Sequence, residues 1–242
     1  MNLVEYVEQY APVQMRKFFS DNMHIIEAIS EFLESERDSD IRITPDISQI
    51  FSSLHLISMD REGLLSNSLK VVICLQDPYQ QGCAHGVAMS TLNGEITVSL
   101  RNVYRVLKSY KKDIPKFTSG DIRGWCTQGV LLWNAALTTR LGTSKAHTKE
   151  WSIFTYNFIR WLSTEFKFLV FVLLGADAKA YQRDIDLSRH VVLTTSHPVA
   201  RENSNTFLTS DIFTKVNEVL VFMEREPVRW EEYSYVPLEE QQ

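Results

Sequence analysis

Residues 71–90 read VVICLQDPYQQGCAHGVAMS, and this stretch predicts both the fold and the position of the functional site. Its first five residues are apolar and partly β-branched, which is typical of a strand buried on both faces of a sheet. Residues 76–79 (QDPY) then bring an amide, a carboxylate, a rigid turn residue and a phenol to the carboxyl end of that strand. Because ligands of open α/β sheets bind outside the carboxyl ends of the strands, the stretch predicts the rim of an active site.

The same pattern recurs three times further along the chain. The later runs, each followed by small or polar residues, are residues 129–133 (GVLLW), 168–174 (FLVFVLL) and 190–195 (HVVLTT). Strands that alternate with helical segments favour an α/β fold, and we predict a three-layer α/β/α domain around a mostly parallel four-stranded sheet. Neighbouring parallel strands would bring Asp77, Asn134 and His197 to one crevice at the carboxyl edge of the sheet.

Length and composition are those of one globular domain. The chain has 242 residues, 44% of them hydrophobic, which is enough to bury a full core. We expect a single domain over residues 1–242, with a helical extension at residues 1–40 and an acidic, aromatic tail at residues 226–242. The sequence has no run of about 18 or more apolar residues and no basic and apolar leader, so we expect no membrane insertion and an intracellular location.

The charge is distributed unevenly along the chain. The net charge is -5, but residues 1–50 hold 10 acidic and 4 basic residues, and residues 224–242 hold 6 acidic and 2 basic ones. The segment between them is therefore net basic, which permits phosphate binding. The 3 cysteines lack CxxC spacing, which argues against a disulfide framework or a zinc site, and we predict no metal.

Apolar spacing predicts the principal helices. Residues 15–33 carry one apolar stripe, which predicts a single helix of about five turns. The charged run 34–40 (ESERDSD) predicts a solvated loop, and residues 44–56 predict a second short helix. Residues 98–112 predict a further helix with Ser99 near its start.

The roles of two surfaces can each be interpreted in two ways. The predicted helix over 98–112 carries five cations on its polar side, for which a solvated face is the more common role and phosphate contact the alternative: Arg101, Arg105, Lys108, Lys111 and Lys112. The tail holds one tryptophan and two tyrosines (positions 230, 233 and 235) among acidic residues. It either folds back on the body or docks a partner.

Four ordered segments resemble the uracil-DNA glycosylase family, in its family-1 form, over about residues 40–230. They are residues 70–90 (KVVICLQDPYQQGCAHGVAMS), 120–138 (GDIRGWCTQGVLLWNAALT), 196–201 (SHPVAR) and 226–230 (EPVRW). Four ordered matches at compatible spacing are far more specific than one short motif. Residues 133–134 (WN), residues 141–151 (LGTSKAHTKEW) and the HP-x-AR form of the third segment are particularly similar to the poxvirus branch. That similarity implies a viral protein in the cytoplasm or nucleus of a host.

The resemblance implies a role for each polar side chain at the strand ends. Asp77 would position or activate the attacking water and stabilise the cationic sugar, because breaking a glycosidic C–N bond leaves positive charge on deoxyribose and negative charge on uracil. His197 would donate a hydrogen bond to uracil O2 as that charge develops. Asn134 would read the Watson–Crick edge of the base, since one amide accepts from N3–H and donates to O4.

The resemblance also assigns the walls of the base pocket. Tyr79 would occupy the space of a C5 methyl group and so reject thymine, and Gln76 would contact the base through its backbone. Met89 stands where the family has a phenylalanine stacked on the uracil; a thioether still covers an aromatic face, with less area and less rigidity.

DNA contacts are implied for Ser99, Ser196 and Arg201. Arg201 stands where most members have the leucine that wedges into the base stack, and an arginine can plug that gap or grip phosphate instead. Ala176 and Val199 stand at positions of family serines that hold the DNA backbone. We therefore expect weaker compression of that backbone here.

Together these residues predict an enzyme that excises uracil from single- or double-stranded DNA. It would act by base flipping and carboxylate-assisted water attack, without a cofactor, and leave an abasic site for DNA repair. Taken singly, Asp77 is more often a helix cap, Asn134 a turn residue and His197 a loop histidine, so the prediction depends on their combination. His147, in the loop after Asn134, is a further candidate for DNA contact.

Two other classes of function compete with this prediction. The main alternative is a replication accessory protein that keeps the fold mainly for binding DNA and a polymerase-associated partner, with weakened excision. Met89, Arg201 and the missing serines favour it. A serine or thiol hydrolase is disfavoured, because no G-x-S-x-G motif is present and Cys83 has no evident paired base.

Overall fold

The computed structural model describes residues 1–57, 68–110, 114, 116–201 and 206–235. Its strands are β1 (Ile43–Thr44), β2 (Val71–Leu75), β3 (Val130–Asn134), β4 (Thr139–Arg140), β5 (Val170–Leu174) and β6 (Val191–Thr195). Four of them form a parallel sheet in the order β3-β2-β5-β6, and β1 pairs with β4 in antiparallel orientation. The predicted parallel sheet of four strands is confirmed.

Helices cover both faces of this sheet. They are α1 (Leu3–Tyr10), α2 (Arg16–Asp21), α3 (Met23–Asp38), α4 (Ser52–Leu56), α5 (Val98–Tyr110), α6 (Arg123–Cys126), α7 (Thr148–Glu165), α8 (Ala176–Lys179) and α9 (Ile212–Phe222). Short 3-10 helices cover Val13–Met15, Ile47–Gln49 and Ala180–Asp184. One face of the sheet packs against α1, α3 and α7, and the other packs against α5 and α9. The fold is therefore a three-layer α/β/α domain, as predicted.

Alternating side chains of the central strands supply both cores. Val72 and Cys74 pack with the layer that contains α3 and α7, whereas Val71, Ile73 and Leu75 pack with the layer of α5 and α9. Every residue of β2, β3 and β5 is buried, as expected for strands that helices cover on both faces. The edge strand β6 is buried only at its last residue.

The prediction of one helix over residues 15–33 is wrong, because the chain forms α2 and α3 with a break at Asn22. The Asn22 amide donates to the Phe18 carbonyl at 2.7 Å and accepts from Asn157 Nδ2 at 2.6 Å. An asparagine side chain that bonds the preceding turn competes with helical hydrogen bonds. The apolar stripe continues across the break, so its period could not reveal the interruption.

Two neighbouring predictions are also wrong. Residues 34–40 do not form a loop, because α3 continues to Asp38 and buries Glu36, whose carboxylate accepts from Arg140 Nε at 2.7 Å. Residues 44–56 do not form one helix but the end of β1, a 3-10 turn and α4. Asp46 begins that turn by accepting from the Ser48 N–H at 3.0 Å.

The predicted helix over 98–112 is confirmed to Tyr110, and residues 111–112 lie outside the described residues. The tail folds back on the body as far as residue 235. Trp125 Nε1 donates to the Trp230 carbonyl at 2.9 Å, and the buried Tyr233 accepts from the Thr118 N–H at 2.9 Å. None of the helices in the described ranges is long and apolar enough to cross a membrane.

Candidate active site

One cavity lies at the carboxyl edge of the sheet, beside the last residues of β2 and β3. Its volume is about 450 Å³. Eight of the nine side chains predicted for the site line it: Gln76, Asp77, Tyr79, Met89, Ser99, Asn134, His197 and Arg201. The exception is Ser196, whose hydroxyl accepts from the Phe207 N–H at 3.0 Å. The fold thus brings together residues that are more than one hundred positions apart in the chain.

Three donors orient the carboxylate of Asp77. The Lys145 N–H donates to Oδ2 at 2.6 Å, and the Ser144 hydroxyl donates to the same oxygen at 3.0 Å. Gln76 Nε2 donates to Oδ1 at 2.7 Å. Lys145 has a φ of +62°, which is uncommon for a residue other than glycine. Hydrogen bonds to a carboxylate are short and directional, so this side chain is held in one orientation.

Asn134 ends β3 and brings its amide to the cavity. The residue is only 8% exposed, and it pairs with Leu75 in the parallel register of β2 and β3. The Ala135 N–H donates to the Leu75 carbonyl at 3.0 Å, which fixes the backbone beyond the strand. Within the described part of the chain, the amide of Asn134 makes no hydrogen bond. Such an amide is suited to a ligand that offers a matching donor and acceptor.

His197 lies in the loop that follows β6. Its Nδ1 accepts from the Val199 N–H at 3.2 Å, so the proton of the neutral ring sits on Nε2. Burial lowers the pKa of His197 below its ordinary value of 6.5, although the carboxylates of Asp77 and Asp177 act in the opposite direction. The ring is therefore neutral at pH 7 and offers Nε2–H as a donor.

Tyr79 and Met89 form one wall of the cavity. The Tyr79 hydroxyl donates to the Met89 carbonyl at 3.0 Å and lies 2.6 Å from Thr97 Oγ1. Burial raises the pKa of Tyr79 to about 12, so its phenol stays neutral. Met89 is buried and has a φ of +64°, a conformation that costs about 1 kcal/mol for a residue with a side chain. Backbone strain of this kind is concentrated at functional sites.

The remaining candidates differ in their access to a ligand. Ser99 lies in the first turn of α5, and Arg201 is an exposed residue at the cavity. His147 is fully buried: its Nδ1 lies 2.8 Å from Thr138 Oγ1, and its Nε2 lies 3.5 Å from Glu36 Oε2. A side chain buried in this way is not accessible to DNA, so the structure does not support His147 as a candidate for DNA contact.

Sequence reasoning missed the two groups that hold Asp77 from the loop after β4. Ser144 and the Lys145 N–H lie 67 and 68 positions from Asp77, and only the polar character of residues 141–151 signalled the loop. In the described ranges, no group of three or more His, Cys, Asp or Glu side chains is placed to hold a metal ion. The functional groups that line the cavity are one carboxylate, one imidazole, the guanidinium of Arg201 and several neutral polar side chains.

Comparison with known proteins gives one family. A family model described as the uracil DNA glycosylase superfamily matches residues 62–221. The uracil-DNA glycosylase of Mycoplasmopsis pulmonis is 35% identical over 217 residues, which cover 89% of this chain and 91% of the relative. The uracil-DNA glycosylase of Pseudomonas fluorescens is 36% identical over 203 residues, which cover 82% of this chain and 84% of the relative.

Solved structures agree with this result. The crystal structure of mimivirus uracil-DNA glycosylase superposes with a TM-score of 0.83 at 26% identity, covering 95% of this chain and 89% of that one. A mimivirus UNG variant in complex with UGI gives a TM-score of 0.81 at 27% identity, covering 90% and 88%. The resemblance stated from sequence, the fold class and the enzyme class, a glycosidase, are confirmed. This chain belongs to the uracil DNA glycosylase superfamily.

Proposed function

We propose that this protein hydrolyses the N-glycosidic bond of uracil in DNA and leaves an abasic site for repair. One observation supports the proposal most: Asp77, Asn134 and His197 come from the ends of three different strands and line one cavity. The substrate would be single- or double-stranded DNA in which the uridine is extruded from the stack into that cavity.

The proposed chemistry follows from the charges that develop as the bond breaks. A carboxylate beside the sugar stabilises the cationic deoxyribose and orients the water that attacks it. Asp77 is suited to this role because Ser144, Gln76 and the Lys145 N–H fix its direction. His197 would donate from Nε2 to uracil O2, where negative charge accumulates, and a neutral donor avoids protonating the leaving base.

The neutral polar groups would select the base. The amide of Asn134 can accept from uracil N3–H and donate to O4, and cytosine offers the opposite pattern at these atoms. The ring of Tyr79, held by the Met89 carbonyl and Thr97, would fill the space of a C5 methyl group and so exclude thymine. Met89 would cover one face of the base, and Gln76 would contact it through its backbone.

Backbone contacts would come from the rim of the cavity. We propose that Ser99 and Arg201 bind phosphates on the two sides of the extruded nucleotide. Ser196 lies outside the cavity and its hydroxyl binds the Phe207 N–H, so we propose that it holds the His197 loop rather than DNA.

A uracil-release assay tests the proposed function. The substrates are single-stranded DNA with one uracil, duplexes with U:G and U:A pairs, and matched duplexes with thymine. We expect free uracil from the first three, no free thymine, and a strand that alkali cleaves at the abasic site. Absence of uracil release from all three substrates would refute the proposal.

Replacing Ser144 by alanine removes one donor to Asp77 and leaves the other two in place. We expect the single-turnover rate of uracil release to fall about 3- to 10-fold, because the carboxylate loses part of its orientation. The affinity for uracil-free DNA and the free energy of unfolding should not change. Ser152→Ala, which removes a hydroxyl bonded to the Lys149 carbonyl on α7, is the matched control. An unchanged rate in Ser144→Ala would remove this positioning role.

Gly175 keeps space for His197. It has a φ of +92°, and a Cβ added to it would lie 3.1 Å from His197 Cβ. We expect Gly175→Ala to displace the imidazole and slow uracil release about 10- to 100-fold, with a loss of about 1 kcal/mol of unfolding free energy.

Gly142 provides the control for that change. Its φ is +76°, but a Cβ added there would meet no atom within 4 Å. Gly142→Ala should therefore lose similar stability in urea unfolding and keep the rate of release. Equal rates in the two variants would contradict the role given to Gly175.

A second candidate function is that of a replication accessory protein that binds a polymerase-associated partner. The aromatic tail does not favour it, because Trp230 and Tyr233 are buried against the body. An apolar cluster at the other end of the sheet favours this second function. Phe168, Leu187 and Phe222 are 56%, 62% and 87% exposed around one groove. Exposed apolar patches of this kind mark protein interfaces.

Primer extension by the polymerase of the same source tests this second function. If this second function holds, adding the protein lengthens the extension products of the polymerase, and adding the double variant Leu187→Asp/Phe222→Asp does not. Both proteins should release uracil at the same rate. Products of unchanged length with the unmodified protein would refute it.

The intracellular location, in the cytoplasm or nucleus of a host if the chain is viral, remains part of the proposal.

A further inference from the structure

A second groove lies along α5, next to the candidate active site. Its volume is about 550 Å³ and its floor is apolar, formed by Ile96, Tyr104 and Phe117. Its rim carries four exposed cations: Arg101, Arg105, Lys108 and Lys116. No carboxylate lines it among the residues that the structure describes. We name these four residues the cationic strip.

Among the residues that the structure describes, no side chain neutralises the cationic strip. None of its members forms an ion pair with a residue in the described ranges, whereas Arg123 and Lys145 each pair with an aspartate. Arg101, Arg105 and Lys108 follow one another at spacings of four and three, which places them on one face of the helix. They extend over about 10 Å, the axial rise of about three nucleotides of one DNA strand.

α5 connects the cationic strip to the cavity. Ser99 in its first turn lines the cavity, and Arg101, two residues later, lines the groove. The Asn102 amide donates to the Pro198 carbonyl at 2.8 Å, which fixes α5 against the loop that carries His197. The helix therefore holds the two sites in one geometry.

We propose that the cationic strip binds successive phosphates of the DNA strand whose uridine occupies the cavity, on one side of that nucleotide. The inference extends the proposed function from the extruded base to the flanking strand. The rings of Tyr104 and Phe117 stack on each other with centroids 3.9 Å apart, and each residue is only 5% exposed, so they offer no open face on which a base could stack. The strip therefore contacts the backbone, and its contribution is independent of sequence and sensitive to salt.

DNA fits this groove better than an acidic protein does. The three cations of the strip that lie on α5 are regularly spaced along one face of that helix, whose first turn lines the cavity, as a strand leaving the cavity requires. An acidic protein would need no such continuity. A DNA strand and an acidic protein as the occupant predict different results for DNA binding by a variant that lacks the three α5 cations of the strip.

The test is a triple variant, Arg101→Ala/Arg105→Ala/Lys108→Ala. Its affinity for uracil-free single-stranded DNA of about 20 nucleotides should fall about 10-fold or more at 0.1 M salt, measured by fluorescence anisotropy. The slope of log K against log salt should decrease by about 2, since each lost phosphate contact removes about 0.7. With a uracil trinucleotide whose uridine is central, so that only about one nucleotide can reach the strip, kcat/KM should stay within about twofold of the unmodified protein.

The control removes three exposed cations near the amino ends of the strands: Arg16→Ala/Lys17→Ala/Lys167→Ala. It should retain the affinity and salt slope of the unmodified protein to a greater extent than the test variant. Unchanged DNA affinity in the test variant would overturn the proposal. Equal losses of DNA affinity in the two triple variants would overturn it as well. An equal loss of kcat/KM on the short uracil substrate and on a uracil-containing strand of about 20 nucleotides would also overturn it. Because binding to uracil-free DNA needs no excision, the affinity and salt-slope results are independent of whether the protein releases uracil.

Discussion

Replacing Asp77 by asparagine is expected to lower the single-turnover rate of uracil release by about 10³-fold or more. The amide has the same shape but carries no negative charge to stabilise the sugar cation. Its oxygen can still accept from the Lys145 N–H or the Ser144 hydroxyl, so the loop after β4 should stay in place. The affinity for uracil-containing DNA should therefore persist, measured with a fluorescent oligonucleotide at the same salt concentration.

Asp21→Asn is the matched control for this variant. Asp21 is an exposed carboxylate that pairs with Lys17 at 2.8 Å on α2, far along the chain from the cavity. Its loss of charge should leave the rate unchanged. If Asp77→Asn and Asp21→Asn released uracil equally fast, the carboxylate would have no part in the chemistry.

Replacing His197 by alanine should give the second-largest effect, a fall in the single-turnover rate of about 10²- to 10³-fold. The variant loses the donor that faces the negative charge on the departing base, and it keeps Asp77. Because the effect lies in the transition state, the rate should fall much more than the affinity for substrate DNA. A rate within about twofold of the unmodified protein would exclude His197 from the reaction.

The pH dependence of release provides a separate test of His197. Burial lowers its pKa below 6.5, so the ring becomes charged only at lower pH. If the neutral ring is the active form, release decreases toward acidic pH, with the midpoint of the decrease below pH 6.5. A decrease centred above pH 6.5 that disappears in His197→Ala would contradict a neutral donor.

The sheet could be predicted from sequence because the residues of each strand form a recognisable apolar run. The runs at 71–75 and 170–174 are continuously apolar, as burial on both faces requires, and small or polar residues follow where each strand ends. The polar ends of parallel strands meet at one edge. The joint position of Asp77, Asn134 and His197 therefore follows from topology, without knowledge of any contact.

The errors occurred where distant partners decide the local structure. Glu36 lies in a run of charged residues that is typical of a loop, but Arg140 pairs with it across the domain and the helix continues. Asn22 interrupts a continuous apolar stripe through bonds to Phe18 and Asn157. Local spacing contains no information about such partners.

The candidate site divides in the same way. The residues at the strand ends could be named from sequence, whereas the groups that orient them could not. Ser144 holds Asp77 from another loop, and Gly175 makes room for His197 from the end of β5. Neither residue carries a chemical signal of its own, because a serine in a polar loop and a glycine after a strand are common features.

The most direct test of the central claim is a crystal structure of Asp77→Asn bound to single-stranded DNA that contains one uracil. We expect the intact nucleotide extruded into the cavity, with the Asn134 amide on its Watson–Crick edge and His197 Nε2 within hydrogen-bonding distance of O2. Residue 77 should face the sugar. A uracil base that lies outside the cavity, or one that contacts neither Asn134 nor His197, would contradict the claim.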